Sequence, residues 1–290
     1  MEEFFSWFFE PFDYTFLRRA FVASWSLSLS AAPLGVILVL RRMSLMGDAL
    51  SHSVLPGVAV GFFMAGLSLI AMTLGGLIVG LLVAMAAGAV SRWTSLEEDA
   101  SFAGFFLISL SVGVILVSIK GSHVDLMHIL FGSVLAIDDY TLLLVASTST
   151  ITLLIIASIY RSLLLECVDP IYLKSVGGKG HRYHALFLVC VVANLVSAFQ
   201  SMGTLMALGM MMLPAITARF WAKQVWSIIV AAWVVGILSS FFGLLASYHF
   251  NYPSGPSIVL VAGVFYIGSL FIGPQGSFYQ HKKTYGQGAS

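Results

Sequence analysis

Long apolar runs separated by short polar breaks dominate the chain. Nine stand out, at approximately 16–40, 45–65, 67–90, 101–119, 140–161, 183–200, 202–220, 224–248 and 257–272. A helix needs roughly 20 mostly apolar residues to cross a bilayer core. The pattern therefore predicts an all-α, polytopic membrane protein with eight or nine transmembrane helices. Two runs, 45–65 and 202–220, contain Leu-Pro steps at Leu55-Pro56 and Leu213-Pro214. They are expected to be broken or only partly spanning, because proline removes a helical donor and crowds the turn before it. The chain divides into an N-terminal segment 1–15, one transmembrane domain 16–273 and a tail 274–290.

The polar breaks orient the array. Arg41, Arg42, Arg92, Arg161, Lys174, Lys179, Arg182, Arg219, Lys223, Lys282 and Lys283 all fall on one side if nine segments alternate. Positive charge marks the cytoplasmic side, which puts the N-terminal segment outside and the tail inside. Arg18, Arg19 and Lys120 fit this rule less well. The start Met1-Glu2-Glu3-Phe4-Phe5 lacks the basic region of a cleaved signal peptide.

Composition agrees with this class. The 290 residues are 59% hydrophobic and 9% charged, against roughly 25% charged in a soluble domain. A net charge of +1 and the absence of a basic stripe exclude nucleic acid as a partner. Cys167 and Cys190 are far apart and match no metal or redox spacing, so both are read as structural. No Gly-x-x-x-x-Gly-Lys-[Ser/Thr] run is present, since Lys179 is followed by Gly180, and no His-Glu-x-x-His occurs. The chain is expected not to be an enzyme.

The most informative chemistry is Asp48 and His52. After Asp48 no charged residue appears until Arg92. Hydrocarbon offers a carboxylate no solvation, so one kept there points to a functional site. Four residues is about one turn, which places both side chains on one helix face. Carboxylate and imidazole together suit a borderline divalent cation. The bland alternative is that Asp48 sits at a helix start near Arg41 and Arg42, and His52 is a satisfied core histidine. Pro56-Gly57 tilts the balance, because irregular backbone at membrane depth usually lines a cavity. A third ligand would have to come from another helix.

Four methionines, Met206, Met210, Met211 and Met212, precede Pro214. They suit a soft-metal path or, more simply, fill a packed interior. Aligning Leu55-Pro56 with Leu213-Pro214 sets Met206 and Met210 opposite Asp48 and His52, a faint internal echo. His123, Asp125, His128 and His249 fall in loops expected outside, and Glu97-Glu98-Asp99 is read as the start of a helix near Arg92. The connection 162–182 is the longest on the inner side. Asp169 before Pro170 reads as an N-cap followed by proline at the first helical position. Ile171, Leu173 and Val176 would then face the membrane or a partner, and the glycines from Gly177 end the short helix. A plain inter-helix loop is the alternative.

The stretch from Arg42 to Ala59, read Arg-Met-Ser-Leu-Met-Gly-Asp-Ala-Leu-Ser-His-Ser-Val-Leu-Pro-Gly-Val-Ala, resembles the signature of the zinc/manganese/iron permease family of bacterial ABC importers. Gly203-Thr204-Leu205 through Leu213-Pro214-Ala215 with Arg219, the late Pro253-Ser254-Gly255-Pro256, and Asp169-Pro170 with Gly177 also fit. The resemblance implies a type II ABC-importer-like permease in the bacterial plasma (inner) membrane. It implies a second permease copy or paralogue, separate cytoplasmic ATP-binding subunits and an external metal-binding protein. It implies transit of Mn, Zn or Fe past Asp48 and His52, no permanently bound cofactor, and ATPase coupling through Asp169, Pro170 and Gly177. Gly177-Gly178-Lys179-Gly180 is more glycine-rich than that pattern. A secondary metal transporter driven by an ion gradient is the other reading of the same residues.

Overall fold

The computed structural model describes residues 10–66, 68–119, 137–175, 177–178 and 180–275. A short 3-10 turn at Glu10–Asp13 leads into helices α1 (Thr15–Leu40), α2 (Met46–Ser53), α3 (Leu55–Ala65), α4 (Leu69–Trp93) and α5 (Glu98–Ile119). Then follow α6 (Asp139–Val168), α7 (Pro170–Ser175), α8 (Gly180–Met202), α9 (Thr204–Ala218), α10 (Val225–Phe250) and α11 (Ser254–Ile272). Among the described residues the protein is all helix and turn. Eight spans among these residues are long and apolar enough to cross a membrane, with α2 and α3 together making one of them. α9 is the ninth apolar helix and is shorter, at 15 residues. The expectation of eight or nine spans therefore holds, and the two irregular ones are those carrying Pro56 and Pro214.

The helix ends sort into two groups, as alternation requires. At one end Arg41, closing α1, meets Glu166 in the last turn of α6 and His184 in the first turns of α8, which meets Glu98 at the start of α5. There too Gln275, after α11, donates its backbone N–H to Phe220 O, after α9. At the other end Arg19 of α1 pairs with Asp139 of α6 at 2.7 Å. Arg19, which fitted the charge rule poorly, thus has its charge answered by a carboxylate.

Packing follows from side-chain size. α1 and α8 form the centre, with 78% and 72% of their apolar windows buried, against 22% for α4. On α4, Ile70, Leu74, Ile78, Leu82 and Met85 repeat at helical spacing and are all exposed. On α11 the same is true of Leu260, Val264, Ile267 and Phe271. Such stripes belong against lipid or a partner's helices, because water would penalise them. Hydrophobicity does not drive helices together in lipid, so close approach through small residues must do so. The crossings show it. A Cβ added at Gly57 of α3 would lie 2.1 Å from Gly75 O of α4, and one at Gly35 of α1 would lie 1.9 Å from Met211 O of α9. Gly203 alone makes the turn from α8 to α9, at φ 87°, a conformation that costs a residue with a Cβ.

Buried polar groups are shared between helices. Asn194 Nδ2 of α8 donates to Ser30 Oγ of α1 at 2.5 Å, and Ser30 Oγ lies 3.0 Å from Ser149 Oγ of α6. Interhelical bonds of this kind average about 0.6 kcal/mol in membrane proteins, so they fix register more than they hold the bundle.

Candidate functional site

The second span breaks where the sequence suggested. α2 ends at Ser53, Val54 is a turn, and α3 starts at Leu55 with Pro56 in its first turn. Pro56 has no N–H to give the carbonyl four residues back, that of His52. The neighbouring Ser53 carbonyl is satisfied from another helix, by Ser109 Oγ of α5 at 2.7 Å. This is how irregular backbone survives at membrane depth. Gly47 seats α2 on α9, since a Cβ there would fall 2.8 Å from Met211 Cε and 3.2 Å from Leu208 Cδ1.

On this short helix the buried side is Met46, Gly47, Ala49, Leu50, Ser51 and Ser53. Asp48 and His52 occupy the remaining face. Their side chains are 50% and 30% exposed, with His52 Nε2 lying 3.6 Å from Asp48 Oδ1. That is beyond hydrogen-bond distance, so neither lone pair is consumed by the other. With metal–ligand bonds of about 2.1 Å, a 3.6 Å separation subtends roughly 115–120° at a bridging cation. That angle suits an open tetrahedral or distorted site. The Phe106 ring, 6.0 Å from the imidazole, walls one side. Asp48 does lie in the first turn of α2, where the helix dipole favours a carboxylate. The bland reading is thus right about the position of Asp48, whereas the imidazole it takes for a core histidine is 30% exposed. Among the described residues no cluster of three or more His, Cys, Asp or Glu side chains is disposed to hold a metal. Asp48 and His52 are two candidate donors, and the described residues bring no third His, Cys, Asp or Glu to them.

The other predicted features divide. Asp169 accepts from the Tyr172 backbone N–H through Oδ1 at 2.8 Å and caps α7, with Pro170 its first residue. Gly177 has φ 80° and ends the excursion, with the Gly178 N–H returning to Leu173 O at 2.8 Å. Leu173 is not on an outward face as expected. It is 7% exposed, and a Cβ at Gly178 would come within 2.5 Å of its Cδ1. The unusual glycine run therefore has a packing reason: α7 is pinned to the start of α8 by a leucine lying on Gly178 and Gly180. Met206, Met210 and Met211 are fully buried and Met212 nearly so. They are packed in the core of the bundle. His123, Asp125 and His128 lie outside the described residues. Cys167 and Cys190 are both free thiols.

Sequence reasoning missed the ion cluster at the Arg41 end of the bundle. Arg41 Nη2 is 2.9 Å from Glu166 Oε2, a charge contact rather than an aligned hydrogen bond. Arg41 Nη1 meets His184 Nδ1, and His184 Nε2 lies 2.6 Å from Glu98 Oε1. The signal was present in Leu163-Leu164-Leu165-Glu166, an acid inside an apolar helical run that demands a partner.

Apolar spans, a broken helix with an exposed carboxylate–imidazole face, and a capped connecting helix together define a multi-pass membrane protein. The chain belongs to the ABC 3 transport family, whose model matches residues 13–273. It is 35% identical over 263 residues to the manganese import system permease protein ScaB of Streptococcus parasanguinis, covering 91% of this chain and 92% of that one. It is 33% identical over 272 residues to the manganese transport system membrane protein MntC of Listeria monocytogenes, covering 93% and 96%. A probable iron transport system membrane protein of Haemophilus influenzae is 30% identical over 266 residues, covering 92% and 97%. Among solved structures, PsaBC from Streptococcus pneumoniae in complex with Fab superposes with a TM-score of 0.82 at 34% identity, covering 94% of this chain and 99% of that one.

Proposed function

We propose that this chain is the membrane-spanning permease subunit of an ATP-driven importer of a divalent transition metal, manganese before zinc or iron, with Asp48 and His52 as its transit ligands. The observation that carries the reading is the half-exposed Asp48–His52 face on an otherwise buried helix. A carboxylate left facing lipid is costly, so something must cover it. A second copy, or a paralogue, does so and adds ligands beyond the two that the described residues of one chain bring together. Four ligands contributed as two plus two bind a cation that either half holds weakly, which suits a site that must release it. Manganese comes first because the ScaB and MntC relatives are named for it. Asp and His alone do not choose among these metals.

The remaining parts follow from the same reading. An external metal-binding protein delivers the cation, and separate cytoplasmic ATP-binding subunits dock against α7, with Asp169, Pro170 and Gly177 fixing its shape. The membrane is the bacterial plasma membrane, with segment 1–15 outside and the tail 274–290 inside. Reconstituted uptake tests this. Proteoliposomes holding the assembled transporter should take up manganese only with ATP and the partner ATPase, and a pH gradient alone should drive none. Uptake that follows the pH gradient without ATP would instead establish a secondary transporter.

A further inference from the structure

Five helices bring charged or titratable groups to one small cavity, about 240 Å³ in volume, at the end of the bundle next to α7. Arg41 arrives from α1, Arg92 from α4, Glu98 from α5, Glu166 from α6 and His184 from α8. The side chains of Arg41, Glu166 and His184 are only 11%, 13% and 9% exposed. Buried charges are retained only when answered. Here Arg41 faces Glu166 on one side and His184 on the other, and His184 in turn meets Glu98. A guanidinium only donates, so His184 Nδ1 accepts from Arg41 and Nε2 carries the proton toward Glu98. Arg41 also donates through Nε to Cys167 Sγ at 3.2 Å and lies 5.7 Å over the Phe187 ring.

The position of this cluster in the chain gives it a consequence. Arg41 ends α1, and Arg42 turns through φ 60°, a left-handed conformation that a non-glycine residue adopts at a cost. The Met43 N–H closes back on Leu38 O at 3.0 Å, and α2 begins at Met46 with Asp48 in its first turn. Glu166 and Cys167 are in the last turn of α6, and Asp169 follows them as the cap of α7. A single side chain thus bridges the turn that feeds the Asp48–His52 helix and the turn that feeds α7.

We propose that Arg41, paired with Glu166 and backed by His184 and Glu98, is the positioning link that transmits displacement of α7 to the Asp48–His52 helix. It touches no metal and no nucleotide; it holds two moving parts in one register. The inference rests on the ATP-driven reading above. A rigid ion pair between buried groups suits the role because it has two discrete states, made and broken, rather than a graded one.

The test compares Arg41→Gln, Arg41→Lys and Glu98→Gln in the assembled transporter, reading manganese uptake and ATP hydrolysis in the same vesicles and equilibrium manganese binding in detergent. Arg41→Gln should still bind manganese at equilibrium and still hydrolyse ATP, while metal carried per ATP falls about tenfold or more, as expected from breaking a buried pair. Arg41→Lys, which keeps the charge toward Glu166 but not the fork toward His184, should recover part of that ratio. Glu98→Gln loosens the outer end only and should lower the ratio less; it serves if Arg41→Gln fails to assemble. A merely structural role would lower uptake and hydrolysis in proportion, and that result, or an unchanged ratio, overturns the link. Wild-type uptake that needs no ATP overturns both the link and the reading beneath it; ATP-coupled wild-type uptake with a full ratio in Arg41→Gln overturns the link alone.

Discussion

Replacing Asp48 by alanine should abolish metal uptake and leave a folded, assembled protein. The carboxylate is half exposed and its side-chain contact is His52, so its removal opens no cavity in the bundle. On the proposed function it removes one of two ligands from each copy. Changing the groups that merely support metal ligands costs roughly 10–100-fold, and loss of a ligand itself should exceed that. Size-exclusion profile and thermal stability should match wild type, while uptake in proteoliposomes falls to background. His52→Ala should behave the same way. Uptake by Asp48→Ala at the wild-type rate would move the metal path elsewhere.

Gly35→Val should have the opposite signature, with no folded protein to assay. A Cβ at position 35 would lie 1.9 Å from Met211 O and 2.9 Å from its carbonyl carbon. Those are backbone atoms, which cannot swing away as the end of a side chain can. Separating α1 from α9 would break the central packing and unseat α2, which rests on the same stretch of α9 through Gly47. Overpacking a core costs typically 1–3 kcal/mol and more where backbone must shift. The expected readout is a large loss of monodisperse protein after detergent extraction. Gly263→Ala is the control, because nothing lies within 4 Å of a Cβ there. Equal yields from Gly35→Val and Gly263→Ala would contradict the packing described for α1 and α9.

The sequence made some of this legible and hid the rest for identifiable reasons. Spans, the break at Pro56 and the Asp169 cap are local: each follows from hydropathy, a missing N–H or a short side chain within a few residues. Asp48 and His52 were legible because a single turn fixes their relation. The Arg41–Glu166 and His184–Glu98 pairs were not, because their members are separated by far more chain than any periodicity covers. Arg41 registered only as a topological marker and Glu98 only as a helix start, though Glu166 within a leucine run called for a cation. Leu173 misled because the pattern of a short amphipathic helix points its apolar residues outward, whereas Gly178 and Gly180 open a seat for it inside. The methionines left two readings open because thioether chemistry and gap-filling look alike in sequence, and their burial agrees with the simpler one, packing.

The central claim is that a divalent cation in transit sits between Asp48 and His52 of two copies. Electron paramagnetic resonance on the assembled transporter loaded with manganese(II) tests it most directly, through hyperfine coupling of the metal to ligand nitrogen. Imidazole nitrogen coupling is expected in the wild type and should disappear in His52→Ala. An unchanged nitrogen-coupled signal in His52→Ala, or bound manganese with no nitrogen coupling in the wild type, would contradict it.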